Sequence, residues 1–240
     1  MMDAATNRDA AEIGKFSALA HGFWDREGAF RTLHDIEPVR AGYIAARAAL
    51  AGVRVADVGC GGGLLAESLC RLGAQVTAID LAADMLAVAR LHARTSGCSI
   101  DYREQSVEAL GAAQPHQFAV VCCLEMIEHV PDPAQLLQSL AQLMAPGGHL
   151  FMSTINRNAR AFVSAIVGAE YVLGLVPRGT HEYARLVRPS ELARFARAAG
   201  LSLLDLTALQ YNPLTRSAHL GGTPHVNYLA HFVAPAAPGA

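Results

Sequence analysis

The sequence has no surplus of positive charge, no long apolar run and no paired cysteine motif. Its 19 Lys and Arg stand against 21 Asp and Glu, a formal charge of −2. Nothing there would hold a polyphosphate backbone, so general nucleic-acid binding is disfavoured. The cysteines Cys60, Cys70, Cys98, Cys122 and Cys123 are odd in number and form no Cys-x-x-Cys pair. Reduced thiols in a cytosol are therefore expected, not a disulfide framework or a zinc knuckle. No uninterrupted apolar stretch approaches the roughly 20 residues that cross a bilayer, and residues 1–16 lack the apolar core of a secretory signal. What is present is apolar bulk: 52% of the 240 residues are hydrophobic, and the mean hydropathy is +0.25. That excludes disorder for most of the chain and suits one domain with appendages.

Residues 53–154 alternate short β-rich runs with longer helical ones. Strands are expected at 53–58, 75–79, 99–103, 118–124 and 149–154, and again at 201–209 and 225–233. Helices are expected from Leu64, over 83–95 and 134–144, and over 190–199 between Pro189 and Gly200. Residues 9–20 and 39–50 carry helical spacing ahead of the first strand. Repeated β-α units predict an α/β fold with a seven-stranded, mostly parallel sheet and helices on both faces. The expected organisation is a helical cap over 1–50, a main domain over 51–233 with an insertion at 156–187, and a flexible tail at 234–240. Ligands in such a sheet belong at the carboxyl ends of the strands.

The run Asp57-Val58-Gly59-Cys60-Gly61-Gly62-Gly63 follows the first expected strand and opens a helix. Glycines there let the chain turn sharply and present main-chain N–H groups to a ligand. A dehydrogenase would want Gly-x-Gly-x-x-Gly/Ala, and its last position would be Leu64. The register Asp-x-Gly-x-Gly-x-Gly instead resembles class I S-adenosylmethionine-dependent methyltransferases, which have a Rossmann-like fold. Asp80 lies 23 positions after Asp57, at the end of the second expected strand, and can accept both ribose hydroxyls. The bare alternative is a glycine turn with an Asp helix cap. In that class a polar pair after the third strand addresses the adenine; here an acid common in relatives is replaced by Ser106, so backbone groups are expected to make that contact. The cofactor set read on this basis is Asp57, Gly59, Gly61, Gly63, Asp80, Leu81, Ser106 and Val107.

A longer set of motifs is more specific. It comprises Lys15-Phe16, Phe23-Trp24-Asp25, Leu33-His34, Arg40 and Tyr43-Ile44, then the stretch from Glu125 to Pro133, Asn156-Arg157-Asn158, Gly168-Ala169-Glu170-Tyr171, Gly179-Thr180-His181, Tyr211-Asn212-Pro213 and Val226-Asn227-Tyr228. Together they resemble the bacterial ubiquinone-biosynthesis O-methyltransferase family over almost the whole chain. The resemblance implies two O-methylations, on a polyprenyl catechol (2-polyprenyl-6-hydroxyphenol) and on 3-demethylubiquinol. It also places cofactor contacts on Arg40, Gly59, Asp80 and Leu124. A guanidinium fork at Arg40 suits the carboxylate of the methionine moiety; otherwise Arg40 is a surface arginine on an amphipathic helix.

The acceptor must be deprotonated, because a phenol has a pKa near 10. Glu125, Glu128 and His129 follow the fourth expected strand. Three readings stay open: metal ligation of Mg²⁺ by Glu125, Glu128 and His129, as the resemblance implies for related eukaryotic enzymes; general-base catalysis by His129; or a loop that only shapes the site. His34, His181 and His225 are candidates for the acceptor pocket, with structural roles as the plainer alternative. Cys122 and Cys123 are expected on opposite faces of one strand, and Cys60 as a small filler.

Residues 161–176 (AFVSAIVGAEYVLGLV) are strongly apolar and flanked by Arg157, Arg160, Arg178 and Arg185. With Phe162 and Tyr171 they suit a segment lying at a lipid interface, or else a lid or an oligomer contact. The expected location is cytoplasmic with peripheral association at the inner membrane, and the expected partners are the quinol substrate, the lipid surface and other quinone-biosynthesis enzymes. Rival functions are a methyltransferase for another small aromatic and a non-catalytic S-adenosylmethionine-binding protein.

Overall fold

A computed structural model of the chain describes residues 7–158, 161 and 183–237. The apolar segment 162–176, with Phe162, Tyr171, Arg160, Arg178 and His181, lies outside the described residues, as do 168–171 and 179–181 of the family-like motifs and 238–240 of the tail.

Strand β1 (Arg54–Val58) has the burial pattern of a strand covered on both faces. It pairs in parallel with β2 (Gln75–Asp80) on one side and β4 (Phe118–Leu124) on the other. β3 (Asp101–Glu104) continues the sheet beyond β2, and β5 (Met144–Ile155) lies beyond β4, both parallel. β8 (Asn227–Val233) then inserts antiparallel between β5 and β6 (Ser202–Asn212). The last strand, β7 (Ser217–Leu220), folds back on β6. The order is β3-β2-β1-β4-β5-β8-β6-β7, which makes eight strands where seven were expected. The extra one, Ser-Ala-His-Leu, alternates polar and apolar residues over only four positions, too short a run to stand out in the sequence.

Helices cover both faces, as expected. On one, α5 (Val107–Ala113), α6 (Pro133–Leu143) and α7 (Pro189–Ala198) bury Leu110, Leu136, Leu140 and Leu192 against Val58, Cys123 and Met152. On the other, α2 (Arg31–Ala45), α3 (Leu64–Arg71) and α4 (Ala83–Ser96) bury Ile44, Leu69 and Leu86 against Val55, Cys122 and Phe151. Cys122 and Cys123 thus fall in different cores, the alternation of a strand.

Two local readings change. The second helix was expected over 39–50 but runs Arg31–Ala45, with Pro38 inside it. Proline reads as a helix start, and inside a helix it loses one bond and crowds the carbonyl four residues back; here the helix continues through it with Ile36, Arg40 and Tyr43 buried. α5 was not expected at all, because it is entered through the polar run Glu104–Glu108; Ser106 caps it, accepting the Ala109 N–H at 3.3 Å.

The first helix, α1 (Ala10–Leu19), is capped by Asp9, whose carboxylate takes the N–H groups of Ala11 and Glu12. It buries none of its residues fully. The segment behind it packs Phe23, Phe30 and Trp24 against Ala82 and Met85, at the carboxyl end of β2. No helix among the described residues is long and apolar enough to cross a membrane.

Candidate active site

A cleft of about 870 Å³ opens at the carboxyl ends of β1, β2 and β4, where the crossover at β1 leaves room for a ligand. Its polar floor starts with the glycine loop. The N–H groups of Gly59 and Cys60 both donate to Ile79 O, at 2.9 and 3.0 Å. Gly61 N–H donates to Asp80 Oδ2 at 2.8 Å, and Asp80 Oδ1 takes Ala82 N–H at 2.8 Å. Asp80 therefore holds the loop with one oxygen and the start of α4 with the other, while keeping spare lone pairs. Burial pushes its carboxyl up, against the backbone donors that pull it down. Gly59 sits at φ +72, and a Cβ there would lie 2.7 Å from Met126 Cγ, so only glycine fits.

Deeper in lies a buried charge cluster. Arg40, from α2, reaches Glu37 Oε2 at 3.3 Å and Glu125 Oε1 at 3.9 Å. Asp57, at the end of β1, is 3% exposed, and burial together with nearby Glu37 pushes its carboxyl up to about 8, against the pull of Arg40. Glu37 is raised by burial as well. Three polar atoms of this cluster, Asp57 Oδ2, Glu37 Oε1 and Arg40 Nε, are buried with no hydrogen-bond partner among the described residues. Unpartnered buried groups of this kind are costly. They fit a ligand that carries both a carboxylate and positive charge.

Glu125 follows β4 in the left-handed region at φ +51, where a non-glycine residue costs roughly 1–2 kcal/mol. The bend points its carboxylate at Ser153 Oγ (2.8 Å) and Asn227 Nδ2 (3.3 Å). Glu128 is buried and accepts from Thr154 Oγ1 at 2.9 Å. Burial first, then the adjacent Glu125 carboxylate, raise its pKa. His129 lines the cleft, where its Nδ1 meets Glu12 Oε2 at 2.8 Å and its ring meets the edge of Phe16. Burial pushes Glu12 up, but hydrogen bonds with Lys15 and His129 leave it below its ordinary value.

The residues expected at the site can now be placed. Arg40, Asp57, Gly59, Gly61, Asp80, Leu81, Ser106, Val107 and Leu124 all line the cleft. Gly63 does not: it is the left-handed N-cap of α3, with the Tyr102 hydroxyl standing where its side chain would be. Ser106 is occupied as the cap of α5. The expected metal set of Glu125, Glu128 and His129 is not assembled, because His129 is held by α1, and among the described residues no three His, Cys, Asp or Glu side chains converge on a cation site. Of the candidate histidines, His225 lines the cleft, whereas His34 is buried and bonded through Nε2 to Phe23 O at 2.8 Å. Four residues at the site were missed: Glu12, Glu37, Ser153 and Asn227. Glu37 could have been found, since it stands three positions before Arg40 on one helix face.

A family model described as a methyltransferase domain matches residues 26–206. The ubiquinone biosynthesis O-methyltransferase of Paracidovorax citrulli is 57% identical over 230 residues, covering 95% of this chain and 97% of that one. The protein of the same name from Ralstonia nicotianae is 52% identical over 238 residues, covering 99% and 100%. Among solved structures, the magnesium protoporphyrin IX methyltransferase of Synechocystis with bound S-adenosylhomocysteine superposes with a TM-score of 0.70 at 19% identity, covering 95% of this chain and 97% of that one. A methyltransferase of Thermotoga maritima gives 0.67 at 16%, covering 92% and 99%.

Proposed function

The chain belongs to the ubiquinone biosynthesis O-methyltransferase family, and we propose that it transfers the methyl group of S-adenosylmethionine to a hydroxyl of a polyprenyl catechol and of 3-demethylubiquinol. The observation that carries the cofactor reading is the buried cluster around Arg40, with its unpartnered Asp57 Oδ2, Glu37 Oε1 and Arg40 Nε. Arg40, held by Glu37, would take the amino-acid carboxylate, Asp57 would face its ammonium, and Asp80 would take the ribose hydroxyls. When bound, S-adenosylmethionine supplies a methyl group made electrophilic by a positively charged sulfur.

The rest falls to the chain. The apolar walls from α1, α2 and β6, with Phe16, Leu33 and Leu209, exclude water and give an aromatic ring a place to lie. His129 is the proposed base for the acceptor hydroxyl. Glu12, at 2.8 Å from its Nδ1, keeps a proton on that nitrogen and puts the basic lone pair on Nε2. Burial and the adjacent Glu125 raise the Glu128 pKa, which favours its uncharged form and limits the negative charge beside the forming phenolate.

Residues 161–176 are proposed to rest on a lipid surface, which would bring a membrane-resident polyprenyl acceptor to the cleft, and association with other quinone-biosynthesis enzymes would follow from shared acceptors. Co-sedimentation with anionic vesicles, lost on deletion of 161–176, tests this part. The activity itself is tested by labelled methyl transfer to short-chain demethylubiquinol and catechol analogues. Product carrying one methyl on oxygen is expected; transfer to neither acceptor would refute the reading.

A further inference from the structure

The glycine loop is gripped from outside by the segment between α1 and α2. Trp24 Nε1 donates to Gly62 O at 3.1 Å. The neighbouring Phe23 ring fills the space where a Gly62 side chain would stand and borders the space where one at Gly61 would stand. A carbonyl so bonded is not free to swing, and this one lies between two residues, Gly61 and Gly63, with positive φ. Glycines can leave that conformation at little steric cost, so an external hold has something to do.

Trp24 is itself held. Its indole stacks face to face on His92, with ring centroids 3.4 Å apart and planes 4° apart. His92 Nδ1 meets Glu67 Oε1 at 2.6 Å, and Glu67 is fully buried in α3, the helix that the glycine loop opens. The indole N–H is thus aimed at Gly62 by a strut rooted in the same loop-helix unit.

We infer that Trp24 is a positioning residue for the cofactor: through Gly62 it fixes the glycine loop in its ligand-ready shape, so that the N-terminal segment sets cofactor affinity without touching the reacting atoms. This rests on the cofactor reading above. Fixing a loop before binding lowers the ordering cost of the complex. The effect belongs to affinity, not to the chemical step.

The test compares the full chain with Trp24→Phe, which keeps a ring against His92 and drops the N–H. Calorimetric titration with S-adenosylhomocysteine is expected to give a Kd five- to tenfold higher for Trp24→Phe, the effect of one lost hydrogen bond. KM for S-adenosylmethionine should rise by the same factor, while kcat at saturating cofactor and KM for the acceptor hold. Trp24 is the sole tryptophan, so the unaltered chain gives a second readout that needs no variant: because the hold is already made, its emission maximum should keep its wavelength on titration with S-adenosylhomocysteine. Equal Kd values for the two chains, a fall in kcat instead of a rise in KM, or a shifted emission maximum showing that the indole is repositioned when ligand binds would each overturn the inference alone. No binding to the unaltered chain would overturn it together with the cofactor reading.

Discussion

His129 Nδ1 and Glu12 Oε2 lie 2.8 Å apart across 117 positions of sequence, joining the first helix to the loop after β4. If that pair presents the base, His129→Asn should lower kcat by about 10²–10⁴, the range for a lost general base. Glu12→Gln, which keeps the shape but not the charge, should lower it about tenfold with the Kd for S-adenosylhomocysteine unchanged. Steady-state kinetics alongside calorimetry would check both; full activity in His129→Asn would remove the base from this residue.

Burial and Glu37 raise the Asp57 pKa to about 8 against the pull of Arg40, which favours its protonated form at neutral pH before a ligand binds. A bound ammonium and sulfonium would favour the charged carboxylate and expel that proton. Titrating S-adenosylmethionine at pH 7 in buffers of different ionisation enthalpy should reveal release of up to about one proton per site. Asp57→Asn should abolish the release. Identical heats in all buffers would contradict the assignment.

Gly59 and Gly97 separate strain from contact. Both have positive φ, +72 and +71, but only Gly59 has an atom within reach of an added Cβ. Gly97→Ala should cost about 1 kcal/mol, the left-handed penalty alone. Gly59→Ala should cost about 2–3 kcal/mol, because Met126 must also move, and should weaken S-adenosylhomocysteine binding. Thermal melts in the presence and absence of that ligand give both numbers.

Far from the cleft, His149 and His231 meet at 3.0 Å, and His231 stacks on Phe151 at 4.4 Å. Burial lowers both pKa values, and His149 lowers that of His231 further, to about 4. A base with a depressed pKa is neutral in the folded chain, so the stability it leaves intact above pH 6.5 is lost as pH falls from 6.5 towards 4. The loss for His231 should be about 3 kcal/mol over that window. Urea unfolding of His231→Gln should show a flatter pH dependence there than the unaltered chain; parallel curves would contradict the assignment.

The parts that were legible in sequence are those where local chemistry decides. The glycines after β1 need positive φ, β4 is a run of apolar residues with both faces covered, and Gly200 ends α7 at φ +81. The class I methyltransferase fold and the family followed from these and from the longer motifs. What was missed depends on distant partners. Pro38 sits within a helix because α2 is buried along one side, and β7 exists because β6 offers it an edge. Glu12 carries no local mark of its role, and His129 read equally well as a ligand or a base until α1 was seen beside it. Gly63 read as a binding glycine for the same reason in reverse: its positive φ serves the start of α3 and its contact with Tyr102.

One titration bears on the centre of the account. S-adenosylmethionine added to the pure, folded chain should bind with one-to-one stoichiometry, and Arg40→Met should weaken that binding at least tenfold while the melt of the ligand-free protein stays cooperative. Saturable binding that is indifferent to Arg40, or no binding at all to folded protein, would mean that the buried cluster between α2 and β1 serves something else.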